Sequence, residues 1–63
     1  MKPINIDTAT EADIMDLIAQ HGEVAVSSER GGPDRGIAFI NEGDEGGVWV
    51  RWESGVTTPV FWA

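Results

Sequence analysis

VWVRWESGVTTPVFW, residues 48–62, holds all three tryptophans and one of the two phenylalanines of a 63-residue chain. Apolar and polar residues alternate on both sides of Ser54-Gly55, which is the signature of a β-hairpin. A two-residue loop at Ser54-Gly55 pairs Glu53 with Val56, Trp52 with Thr57, Arg51 with Thr58, Val50 with Pro59, Trp49 with Val60 and Val48 with Phe61. Paired residues share a face. One face then carries Val48, Val50, Trp52, Pro59 and Phe61, an apolar set that a helix can cover. The other carries Trp49, Arg51, Glu53, Thr58, Val60 and Trp62, so Trp49, Val60 and Trp62 are expected to form an aromatic patch flanked by Arg51, exposed unless the sheet coils and buries it or the N-terminal lead folds over it. A change of one residue in loop length exchanges the faces.

Working outward, EVAVSS (23–28) alternates and GIAFIN (36–41) is nearly continuously apolar, so two more strands precede the hairpin. GGPDRG and NEGDEGG are short glycine-rich connections, and short connections imply an antiparallel meander. Pro59 cannot donate to a ladder, which puts the last strand at an edge. Before the strands, DTATEADIMDLIAQHG predicts a helix over 9–21, with Thr8 and Glu11 as a capping box and Gly22 as its stop. Asp13, Asp16 and Gln20 make a narrow polar ridge on it. The expected fold is α+β: a single domain over 1–63 with one N-terminal helix packed on a four-stranded antiparallel sheet.

A chain of this size buries only about 60% of the surface that its unfolded form exposes. It has no cysteine, so no disulfide or thiolate zinc site can staple it, and large aromatics are the remaining way to fill its core. The leading residues MKPINIDTA carry no apolar run, so neither a signal peptide nor a membrane anchor is expected, and a cytoplasmic location is the default. Eleven acidic residues against four basic ones give a net charge of −7. That charge disfavours nucleic acid and anionic membranes as direct partners and favours a basic one.

His21 stands alone, with no Ser-His-Asp set or glycine elbow around it, and complementing a helix C-terminus is its simplest role. An enzyme is not expected. NEGDEGG offers oxygen ligands but lacks the alternating acidic positions of a calcium loop, and GGPDRG lacks the strand-to-helix context of a phosphate loop. No metal and no cofactor are expected. The acidic residues are scattered along the whole chain, so in a folded domain they coat much of its surface. Asp13 and Asp16 lie about 5–6 Å apart at Cβ on a helix, a spacing comparable to neighbouring charges along a nucleic-acid strand. Such a surface can occupy a basic groove, or it can simply keep a small protein soluble.

Small size, an acidic folded surface and no catalytic set resemble the phage-encoded anti-CRISPR proteins, several of which mimic DNA. That resemblance implies a non-enzymatic, monomeric inhibitor acting in the host cytoplasm. It would bind a basic nucleic-acid-binding protein, such as a CRISPR surveillance complex, with Asp13, Asp16, Glu42, Asp44 and Glu45 replacing phosphates. An antitoxin or immunity protein that blocks a nuclease has the same surface chemistry. Locally, GGVWVRWESGVTTPVFW is similar to the V-x-W-D/E-x-G-x-x hairpin of SH3-like barrel domains. That second resemblance implies instead a peptide-binding groove involving Trp49 and Trp62.

Overall fold

The computed structural model describes residues 2–30, 34–44 and 47–62, with Asp44 described by its backbone only. The elements are β1 (Ile4–Asn5), α1 (Glu11–His21), β2 (Val24–Ser28), β3 (Asp34–Asn41), a single 3-10 turn (Glu42–Asp44), β4 (Gly47–Trp52) and β5 (Thr57–Pro59). They form an α+β fold whose sheet runs in the order β1-β2-β3-β4-β5. The expectation of four antiparallel strands is corrected to five in a mixed sheet, because the N-terminal lead pairs parallel to β2, Ile4 beside Val26 and Asn5 beside Ser27. Helix α1 is the crossover that parallel pairing requires. A further bond from Ile6 N–H to the Ser27 carbonyl (2.8 Å) extends this pairing, and Ile6 enters the core.

Thr10, rather than Thr8, caps the helix. Its backbone is extended and its hydroxyl accepts from Asp13 N–H at 3.1 Å. Thr8 is used in a preceding turn, where its hydroxyl and the amides of Thr8 and Ala9 all donate to the Asn5 carbonyl. Thr10→Ala should cost about 1 kcal/mol of stability in a urea titration, whereas Thr8→Ala should cost less. At the other end Gly22 has φ 86° and donates to the Ile18 carbonyl at 2.7 Å, which stops the helix. Only Ile14 and Ile18 are buried, with Leu17 half-buried, so α1 lies on β2 and β3 along a narrow stripe that leaves Met15 exposed.

The hairpin register differs from the expected one by a residue. Trp49 pairs with Pro59, Val50 with Thr58 and Arg51 with Thr57. The loop is three residues long: Gly55 N–H donates to the Trp52 carbonyl at 2.9 Å, and Trp52 N–H to the Val56 carbonyl at 2.8 Å. Gly55 has φ 96°, a left-handed conformation that glycine alone adopts without penalty and that closes a turn of this kind. The extra residue exchanges the two faces of β5 relative to β4. Thr58 and Val60 now share the side of Val48 and Val50, and Val60 N–H bonds the Val48 carbonyl at 2.9 Å.

The core is Ile6, Ile14, Ile18, Val24, Val26, Ala38, Val48 and Val50. Gly36 belongs to the same side of the sheet, and a Cβ built there would stand 2.6 Å from Val50 Cγ1 and 2.7 Å from the Arg51 carbonyl oxygen. Beyond β5 the chain does not continue outward. Val60 and Trp62 pack against the core, and the Trp62 indole N–H donates to the Ala9 carbonyl at 3.0 Å. Ile6, from the opposite edge of the sheet, packs in the same cluster. The two ends of the sheet therefore curl toward each other over one core, with α1 covering the remainder.

Candidate functional sites: an acidic coat and an open sheet face

The acidic residues fall into two kinds. Among the described side chains, only Asp7 and Glu23 form ion pairs, with Arg30 (3.7 Å) and Arg51 (3.5 Å). Asp7 is a structural clamp: it accepts from the Glu29 amide and the Ser28 hydroxyl, both at 2.8 Å, and so ties the segment ahead of α1 to the end of β2. These bonds, the Glu29 amide foremost, then Ser28 and the Arg30 charge, hold its carboxyl below the ordinary aspartate value. A lowered folded-state pKa stabilises the fold above the unfolded value and loses that contribution as pH falls through the folded one. Asp7→Asn should therefore lower the melting temperature at neutral pH, and the difference from the wild type should vanish as pH falls through the lowered carboxyl pKa. Sequence reasoning missed Asp7 because its partners lie 21 and 22 residues away, beyond any local pattern.

Glu11, Asp13 and Asp16 stand exposed along the first two turns of α1. No ion pair engages any of them among the described residues. Glu42 is exposed in the turn after β3, at the end of the sheet where β2 begins. It is separate from the helix pair. The Asp44 side chain and Glu45, also expected to contribute, lie outside the described residues. Among the described residues no three His, Asp or Glu side chains gather in a way that could hold a metal ion.

The second surface is the side of the sheet away from α1. Strand pairing arranges it in rows: Ala25, Ile37, Arg51 and Thr57 lie across the sheet, with Phe39, Trp49 and Pro59 in the next row and Ser27 and Arg35 in the row on the other side. Diagonal neighbours on one face lie within reach of long side chains, which is why Arg51 stacks 5.8 Å over the Phe39 ring. Pro3, Ala25, Ile37, Arg35, Arg51 and Glu53 line a shallow groove of about 490 Å³ on this side. No described element lies over these rows.

Of Trp49, Arg51 and Trp62, all expected on the aromatic face, the structure keeps Trp49 and Arg51 together and sends Trp62 to the other side. Trp49 is half-buried on the open side, and Arg51 is exposed there. Trp62 packs on the core side, so it does not line a groove with Trp49. Trp52, assigned to the core, does pack there, over Gly36, with its indole N–H donating to the Thr58 hydroxyl at 2.8 Å. Phe61, expected in the core, is 85% exposed. Among the described residues no helix is long and apolar enough to cross a membrane. No protein-family model, curated protein or solved structure matches the chain, so function has to be reasoned from these two surfaces.

Proposed function

We propose that this protein is a non-enzymatic binding protein that occupies the basic, nucleic-acid-binding surface of another protein, competing with DNA or RNA for it. The observation that carries this reading is that Glu11, Asp13 and Asp16 stand in solvent on one helix and form no ion pair among the described residues. Carboxylates left unpaired in this way keep their full charge for a partner, and the net −7 draws a basic surface in from a distance. A capped helix also fixes the spacing of its charges, so association costs little ordering entropy.

The test uses immobilised protein and a lysate of its host, with and without nuclease treatment. Wild-type protein should retain basic nucleic-acid-binding proteins that duplex DNA then displaces, a CRISPR surveillance complex being the first to assay for loss of DNA binding. The double charge reversal Asp13→Lys with Asp16→Lys should weaken that binding at least about tenfold and flatten its dependence on salt, with the circular dichroism spectrum unchanged. Full inhibition by the reversed variant would exclude the helix as the contact.

A further inference from the structure

We propose that the outer face of α1 docks a basic, amphipathic helix of the partner, with Met15 as its apolar anchor. This deepens the functional reading and rests on it, since it names what the acidic helix touches. The helix is more apolar than its own core requires. Ile14 and Ile18 are buried and Leu17 is half-buried, while Ala12, Met15 and Ala19 stand in solvent. Met15 is 42% exposed. At a solvated position lysine, glutamine or glutamate would hold the helix as well as methionine does, so exposure alone does not select Met15. Ala12, Met15 and Ala19 follow the i, i+3, i+7 spacing of one helix stripe, which is also the spacing of a coiled-coil seam. The small alanines on either side of Met15 keep the stripe low, so a second helix can approach to the about 8–10 Å at which helices pack. Methionine, unbranched and polarizable, adapts to the apolar surface that such a helix brings.

Charge identifies the occupant. By helical rotation Glu11 borders the stripe on one side, and Asp16 and Asp13 on the other, where a paired helix presents its own flanking charges. No lysine or arginine lies on α1, and His21 is in its last turn. Elsewhere Arg30 is held at Asp7, Arg51 at Glu23, Arg35 lies on the open side of the sheet and Lys2 precedes β1. None of them forms an ion pair with Glu11, Asp13 or Asp16 among the described residues. The facing helix therefore supplies the cations, lysines or arginines on both flanks of its own apolar stripe. A second copy of α1 does not fit, because its stripe is bordered by carboxylates as well and the two would repel.

The test uses the intact protein and a fluorescein-labelled synthetic peptide of about three heptads, with leucine at the seam positions and lysine on the flanks. Fluorescence anisotropy should show saturable binding. A peptide with alanine in place of the leucines keeps charge and helix propensity, and should bind at least about tenfold more weakly. Met15→Gln should weaken binding of the leucine peptide about fivefold or more without changing its dependence on salt, and a thermal melt checks that this exposed substitution leaves the fold intact. Asp13→Lys with Asp16→Lys should weaken binding and flatten the salt dependence. If the two peptides bind equally, or Met15→Gln binds as the wild type does, while charge reversal still weakens binding, the apolar anchor is overturned and the charge reading stands. Binding that is indifferent to the charge reversal overturns both. No binding of the leucine peptide at millimolar concentration overturns the proposal. So does self-association of the wild type that Met15→Gln abolishes in sedimentation velocity, which would assign the face to a second copy.

Discussion

Gly36→Val is expected to leave the chain largely unfolded at room temperature, and Gly36→Ala to fold with a clearly lowered melting temperature. Gly36 lies in the middle of β3, paired with Val26 on one side and Trp52 on the other. A Cβ here meets Val50 Cγ1 at 2.6 Å, the Arg51 carbonyl oxygen at 2.7 Å and Trp52 Cε3 at 3.0 Å. The Val50 methyl sits in a fully buried side chain and cannot swing away, and the carbonyl belongs to the ladder between β3 and β4. Overpacking of this kind costs about 1–3 kcal/mol per small increment, and more when backbone must move. A domain of this length has a total stability of about 3–9 kcal/mol, so the two further carbons of valine consume most of it. Far-ultraviolet circular dichroism and thermal melts decide the matter: a valine variant that melts with the wild type would mean that the indole of Trp52 does not rest on the strand as described.

What could be read from the sequence follows from what is local. Gly22 ends the helix, Pro59 sits in an edge strand, and the alternation in 24–28 and 47–52 shows which residues are buried, because each depends on a residue's own backbone preferences or on a run long enough to show a period. Strand β1 escaped because two residues have no period. Reading Thr8 as the helix cap fails for a simple reason: Thr10 precedes Asp13 at the same spacing as Thr8 precedes Glu11, and only the turn around Asn5 decides between them. The acidic ridge of α1 was legible, since exposure of Asp13 and Asp16 follows from helical periodicity alone. The composition of the aromatic face was not. It hinges on whether the hairpin loop has two residues or three, and the positive φ of Gly55, which selects three, is compatible with either length as far as sequence goes.

The consequence of that single residue is largest at Trp62. With the register found, Val60 and Trp62 turn inward, and the indole spans 53 residues of sequence to bond the Ala9 carbonyl just ahead of the helix. Trp62→Ala should cost about 3 kcal/mol, combining lost apolar contact with an unpaired carbonyl, at the lower end for tryptophan because the ring is only half-buried. Trp62→Phe keeps most of the ring and loses the N–H, and should cost about 1 kcal/mol. Trp49→Ala is the informative comparison, since Trp49 lies on the opposite side of the sheet. Its ring is half-buried but stands outside the core cluster, so Trp49→Ala should lower the urea midpoint less than Trp62→Ala does. If Trp62→Ala proved no more costly than Trp49→Ala in dilute solution, the C-terminal segment would not be closing the core, and the curled sheet that separates the two tryptophans would have to be abandoned.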